Sequence, residues 1–297
     1  MDGILLVDKP SGPSSFDVVR LVRRVGNTRK VGHTGTLDPL ASGLLTVALG
    51  QGTKLVPYLM DTPKRYIAKI ALGASTDTDD RLGSVIERAP VPNLTEDSIR
   101  NIFDQFKGTI SQVPPLFSAL KSGGEPLYRK ARRGETVKLQ ARNIWIGSLR
   151  LTDFAKDSFV LDITCGKGTY IRSLARDMAR ALGTAGHLLE LRRLETSGFK
   201  VDDALCLEEV EEAGEKARIE EHLIPLGDAL PKMPKIRLSA EEQAKVSDGH
   251  AIDDSSFSQG SPELNLDSIV CLIGATGELA AIARVENGRI QPVRVFR

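Results

Sequence analysis

Residues Gly32-His33-Thr34-Gly35-Thr36-Leu37-Asp38-Pro39-Leu40-Ala41-Ser42-Gly43 run straight into the apolar stretch Leu44-Leu45-Thr46-Val47-Ala48-Leu49. Three glycines and a proline in that first segment exclude the interior of a helix or strand. The apolar run that follows reads as a buried strand. The chain must therefore fold so that a tight loop carrying a single acid, Asp38, is held against a core element. Local pattern leaves two readings of Asp38 open. One is an Asx-turn ahead of Pro39. The other is a catalytic group on a loop positioned by a rigid scaffold.

Bulk properties narrow the classes. The 297 residues suit one large domain, or a large one and a small one. No positively charged start leads into an apolar stretch, and no run approaches the ~20 apolar residues of a membrane span. Cys165, Cys206 and Cys271 show no CxxC spacing, and His33, His187, His222 and His250 are scattered. This fits a reducing, cytoplasmic setting without membrane association, disulfide framework or zinc site. The net charge of +1 hides an asymmetry: residues 116–200 carry sixteen basic and eight acidic side chains, and residues 201–268 carry six and seventeen. Such a basic block reads as a polyanion-binding face or as a solvated surface with an acidic counterweight.

In chain order, Ile4 to Val7 reads as a short strand, and Asp8 to Pro13 as a turn. Ser14 or Ser15 caps a helix with Phe16, Val19 and Val22 on its apolar face and Arg20, Arg23 and Arg24 on another. Lys64 to Gly73 alternates as a strand, placing Tyr66, Ala68 and Ile70 together. Thr76-Asp77-Thr78-Asp79-Asp80 lacks the glycine and distant glutamate of a calcium loop, so it reads as a polar loop. Thr95 caps a helix expected to reach Phe106. Ser158 to Cys165 is an alternating strand broken by Gly166-Lys167-Gly168-Thr169. The GxxxxGK[ST] spacing is missing there, which excludes a nucleotide-phosphate loop. The helix that follows buries Ile171, Leu174, Ala175, Met178 and Leu182, with Arg176 and Arg180 read as a solvated stripe. Residues 202–221 read as an acidic, solvent-facing helical region. Short runs from Ser268 to Phe296, separated by glycine turns, read as a small β unit, with a flexible loop from Asp253 to Asp267.

His33-Thr34-Gly35-Thr36-Leu37-Asp38-Pro39 resembles the catalytic-aspartate motif of the TruB family of pseudouridine synthases. Lys9-Pro10, Lys64-Arg65-Tyr66, Gly168-Thr169-Tyr170-Ile171-Arg172 and Leu188 to Leu194 match further family segments in the same order. The resemblance spans nearly the whole chain. It implies an α+β pseudouridine synthase fold, a mixed and mainly antiparallel sheet flanked by helices. Residues 1–232 would form the catalytic domain, with an RNA-gripping insertion at about 114–142. Residues 233–297 would form a small all-β PUA-like domain that contacts the tRNA acceptor end.

The same resemblance implies residue roles. Asp38 is the catalytic carboxylate, Arg172 its partner, and Tyr66 stacks on the target base. Tyr170 and Leu191 line the base pocket, and His33 fills the space that base vacates. Lys9 supports the active-site loop and belongs with the substrate-binding set. Lys121, Arg129, Lys130, Arg132, Arg133, Arg142, Arg192 and Arg193 are expected on RNA phosphates. The implied activity is isomerisation of uridine 55 in the tRNA T loop, by a monomer without metal, nucleotide or other cofactor. The chemistry is compatible with one carboxylate. Breaking a glycosidic bond and rejoining the same sugar carbon to the turned base needs no oxidant and no group donor, and carboxylates suit an anomeric centre. A guanidinium neighbour favours the ionised acid, hence a nucleophile or base rather than a general acid. Competing readings are a relative acting on another RNA, a non-catalytic RNA-binding protein and a glycoside hydrolase.

Overall fold

The computed structural model describes residues 1–118, 121, 122, 125, 126, 133, 139–253, 267–286 and 288–296. The elements, in chain order, are β1 (Gly3–Lys9), α1 (Ser15–Val25), β2 (Val31–His33), β3 (Ser42–Leu49), α2 (Val56–Met60), β4 (Lys64–Leu72), β5 (Ala74–Thr76), β6 (Val85–Arg88), α3 (Glu96–Asn101) and β7 (Gly108–Gln112). They continue with β8 (Lys121–Ser122), β9 (Glu125–Pro126), β10 (Arg142–Ala155), β11 (Ser158–Cys165), α4 (Ile171–Ala181), β12 (Gly186–Thr196), β13 (Phe199–Lys200) and α5 (Leu207–Glu215). The last part holds β14 (Lys235–Arg237), α6 (Ala240–Ser247), β15 (Ile252–Asp253), β16 (Ile269–Ile273), β17 (Leu279–Glu286) and β18 (Arg289–Val295).

The main sheet runs β1-β3-β12-β4-β11-β10-β7, with β2 on β3 and β13 on β12. Its pairings are antiparallel except β3 with β12, where Ser42 and Gly43 lie opposite Arg192 and Arg193. That parallel pair brings the loop before β3 against β12, although nearly 150 residues of chain separate them. Gly43 makes the approach possible. It sits at φ +102, and a Cβ there would lie 2.2 Å from the Arg193 carbonyl oxygen, so no other residue fits without moving β12.

The apolar side of the sheet carries α1, α3 and α4 and forms one core with Leu5, Val47, Tyr66, Ile70, Leu161, Leu174 and Leu188. Helix α1 starts in a capping box. The Ser14 side chain accepts from the Asp17 amide, and the Asp17 carboxylate accepts from the Ser14 amide. Its buried stripe is Ser15, Val18, Val19 and Val22, the i, i+3, i+4, i+7 spacing of a helix face. Phe16, expected in that stripe, is 56% exposed, with the Arg20 and Arg23 guanidiniums 5.8 and 5.7 Å from its ring centre. Helix α3 is shorter than its apolar pattern suggests and passes into a 3-10 turn, Phe103–Gln105. Helix α5 packs on α1 and buries Val210 and Ala213, so the acidic region is only partly solvent-facing.

The last five strands form a second sheet, β14-β16-β17-β18-β15, with α6 beside it. It has its own apolar core around Ile236, Val246, Leu272 and Ile290. It also shares a cluster with the first sheet, in which Ile4, Leu44 and Leu59 pack with Ile273, Ile282 and Phe296. The second sheet is thus joined to the first by buried apolar contact. Most of the expected RNA-gripping insertion, including Arg129, Lys130 and Arg132, and the interior of the loop from Asp253 to Asp267 lie outside the described residues.

Candidate active site

Asp38 lies on the loop between β2 and β3, and four hydrogen bonds fix the backbone at and beside it. Ser15 Oγ accepts from the Leu37 amide at 2.8 Å and donates to the Leu37 carbonyl at 2.9 Å. The Gly12 amide donates to the Pro39 carbonyl at 2.7 Å. The Ala41 amide donates to the Asp38 carbonyl at 3.0 Å. The Asp38 side chain keeps 34% of its surface exposed.

Arg172 reaches it from the first turn of α4. This helix has no side-chain cap; instead Gln112 clasps the Tyr170 backbone, accepting from its amide at 2.9 Å and donating to its carbonyl at 3.1 Å. The clasp sets the direction of Arg172 two residues later. Its Nε lies 2.8 Å from Asp38 Oδ2 and 3.7 Å from Asp80 Oδ2. The Nε–H is not aligned on either oxygen, so the contact is a charge pair rather than a formed hydrogen bond. The terminal nitrogens donate to the Thr78 and Phe117 carbonyls, each at 3.0 Å. One buried guanidinium therefore ties together the Asp38 loop, the loop after β5 and the segment that opens the insertion.

The loop after β5 does more than the polar turn expected of it. The Leu188 amide donates to the Asp79 carbonyl, and the Arg81 amide donates to the Leu188 carbonyl, so the loop is stitched to β12. Arg176, expected in a solvated stripe, is 13% exposed and pairs with Asp79 at 2.7 Å and with Asp177 at 2.9 Å. Burial pushes the Asp79 carboxyl up, against the pull of Arg176 and Arg172. Arg180 is exposed, as its position on α4 implied.

A cavity of about 270 Å³ opens beside Asp38, lined by Tyr66, Tyr170, Ile171, Arg172, Leu191 and Arg193 among others. Tyr66 points in from β4, and Leu191 from β12 opposite Ala68. Burial raises the pKa of both phenols, Tyr66 and Tyr170. Both stay neutral at physiological pH and present an apolar face with a polar tip.

The other expected residues sit elsewhere or are tied down. His33 is outside the cavity wall; its Nδ1 accepts from the Gly35 amide at 3.2 Å, and burial lowers its pKa. Lys9 is fully buried and donates to the Pro10 and Pro13 carbonyls at 2.8 and 2.9 Å, beneath the turn rather than in the cavity. Arg193, expected on phosphates, is 1% exposed and donates to the Leu44 and Gly35 carbonyls. It is a brace for the loop, because its guanidinium ties the Gly35 carbonyl of the loop to the Leu44 carbonyl of β3. Arg192 points the other way and makes a two-pronged pair with Asp8 at 3.0 and 2.7 Å. Arg133 pairs with Glu125, and Arg142 opens β10 opposite Gln112. Lys121 lies on β8. Lys64 and Ser118 also line the cavity, and sequence reasoning passed over both. Lys64 had a signal: it lies two residues before Tyr66 on the same strand face. Among the described residues, no three His, Cys, Asp or Glu side chains gather as a metal site.

The architecture has solved counterparts. A chain of an H/ACA ribonucleoprotein bound to a substrate RNA containing 2′-deoxyuridine superposes with a TM-score of 0.78 at 23% identity, over 99% of this chain and 85% of that one. A chain of a Cbf5-Nop10-Gar1 complex does so at 0.76 and 24%, over 99% and 84%. The fold is that of the pseudouridine synthases, with a C-terminal β unit. Two family profiles match: TruB family pseudouridylate synthase (N terminal domain) over residues 23–171, and tRNA pseudouridylate synthase B C-terminal domain over residues 172–231. Among curated proteins, the tRNA pseudouridine synthase B of Xanthomonas campestris pv. campestris strain B100 is 39% identical over all of this chain and 94% of its own. That of Thermobifida fusca is 41% identical over 99% and 98%. The chain belongs to the TruB family.

Proposed function

We propose that this protein isomerises uridine 55 of the tRNA T loop to pseudouridine, with Asp38 as the essential carboxylate. The observation that carries the reading is the Asp38–Arg172 pair at the edge of a cavity with Tyr66 in its wall. A base inside a stem-loop is out of reach, so the nucleotide is flipped into the cavity, at a cost of a few kcal/mol. Tyr66 stacks on the extruded uracil, Tyr170 and Leu191 line its pocket, and His33 fills the place it leaves. Arg172 holds the Asp38 carboxylate toward the ribose. Asp38 then either bonds to C1′ or takes a proton from C2′ as the C1′–N1 bond opens. The base turns and C5 bonds to C1′, either displacing the Asp38 carboxylate from C1′ or as Asp38 returns its proton to C2′; the C5 proton is then lost and N1 is protonated. No redox partner is needed.

Lys121, Arg129, Lys130, Arg132, Arg133 and Arg142 supply phosphate contacts from the insertion. The C-terminal unit meets the acceptor end. The protein acts as a monomer in the cytoplasm. The test is incubation with unmodified tRNA, followed by carbodiimide mapping of pseudouridine. Modification at the T-loop uridine by the native chain, and none by Asp38→Asn, is the expected result. Gel-shift binding without any isomerisation by the native chain would favour a non-catalytic RNA-binding protein instead.

A further inference from the structure

Opening the C1′–N1 bond sends its electron pair to the base, and the departing uracil becomes an anion spread over N1, O2, C5 and O4. Something in the cavity must meet that charge. Arg172 is already balanced by Asp38, with Asp80 close by. Lys167 is largely exposed and pairs with Asp61 at 2.8 Å. Two cations remain in the wall, Lys64 and Arg193.

Lys64 is 8% exposed. Its ammonium donates to the Met60 and Thr62 carbonyls at 3.0 and 2.9 Å. These are neutral partners, and among the described residues no carboxylate lies within ion-pairing distance of it. An ammonium has three donors, so one is left over. Arg193 is likewise buried, and its partners, the Leu44 and Gly35 carbonyls and the Tyr66 hydroxyl, are neutral too. Burying a charge without an opposite one is expensive. The expense is offset when a ligand brings the missing charge, and a fixed donor in a dry site then stabilises it strongly. Period-two alternation places Lys64 on the same face of β4 as Tyr66, the ring proposed to stack on the base.

We propose that Lys64 is a further catalytic residue of this site, stabilising the uracil anion through its third N–H, with Arg193 behind it as a fixed second charge. The ammonium keeps its proton throughout; it receives no bond and gives none up. This rests on the pseudouridine synthase reading above. Burial and the neighbouring Arg193 lower the Lys64 pKa to about 8, as expected of a desolvated cation awaiting a counter-charge.

The experiment is single-turnover kinetics on two tRNAs, one with uridine and one with 5-fluorouridine at the target position, followed by nucleoside analysis. Fluorine withdraws electrons and stabilises the departing anion by itself, so that substrate leans less on the lysine. Lys64→Met is expected to slow the uridine reaction by about a hundredfold. It is expected to slow consumption of the fluorinated nucleoside at least about tenfold less, with tRNA affinity little changed and Lys64→Arg recovering part of the rate. Equal slowing of both substrates would mark Lys64 as purely structural and overturn the proposal, as would no slowing of either. A native chain that leaves the uridine tRNA unmodified would overturn the underlying reading and this inference with it.

Discussion

Ser15 and Leu37 are joined twice: one hydroxyl accepts from the Leu37 amide at 2.8 Å and donates to its carbonyl at 2.9 Å. The next residue is Asp38. The first turn of α1 thus fixes the backbone on which the reactive carboxylate stands. Ser15→Ala leaves a buried amide and carbonyl without partners, which should destabilise the fold by about 1–3 kcal/mol. Displacing Asp38 should also lower the single-turnover rate about ten- to a hundredfold, while tRNA affinity holds. Urea unfolding and single-turnover kinetics check the two parts separately.

Gly43 tests the parallel pairing of β3 with β12. A methyl at this position meets the Arg193 carbonyl, and the positive φ strains any L residue. Gly43→Ala should cost about 2–3 kcal/mol or more. A melting-temperature shift of only a degree or two would show that the strands can part easily.

Arg193 and a true phosphate contact are separable by salt. Arg193→Met removes the donors to the Leu44 and Gly35 carbonyls, and stability should fall by about 1–3 kcal/mol. The slope of log affinity for tRNA against log salt should stay unchanged. Replacing a phosphate-contacting residue should reduce that slope by somewhat less than about one. Fluorescence binding titrations from low to moderate salt read this directly. The native slope itself should be smaller than a +8 block suggests, because Arg150, Lys167, Arg172, Arg176 and Arg192 already face carboxylates.

Lys9 and Lys64 give the fold an unusual pH dependence. Burial lowers both to about 8 from an ordinary 10.5. Between those values the unfolded chain binds more protons than the folded one, so these two lysines make stability rise with pH. A lysine that gains a partner on folding acts in the opposite sense. Comparing native protein with Lys64→Met by urea unfolding at pH 7.5 and 9.5 isolates the effect. The native chain should gain stability relative to the variant at the higher pH.

Much of the scaffold was legible because apolar pattern reports burial. Leu44 to Leu49, Tyr66-Ala68-Ile70 and Ile171-Leu174-Ala175-Met178 all lie where their periodicity placed them. Phe16 was not legible: two arginines cover its ring, and Ser15 takes the inner position because its hydroxyl binds the Leu37 backbone. Arg193, Lys9 and Lys64 were opaque for a related reason. A charge reads as surface unless the carbonyls that receive it are known: for Arg193 they lie about 150 residues away, and for Lys9 and Lys64 they belong to adjoining turns whose carbonyl directions a residue pattern does not report. Arg176 was misplaced because its partner Asp79 lies nearly a hundred residues away. The Asp38–Arg172 meeting came from motif resemblance; periodicity alone does not bring β3 beside β12.

The most direct measurement is single-turnover pseudouridine formation at the T-loop uridine by Asp38→Asn, with tRNA binding followed in parallel. Undiminished binding and no detectable pseudouridine are the expected result. Isomerisation by the variant at the native rate would contradict it.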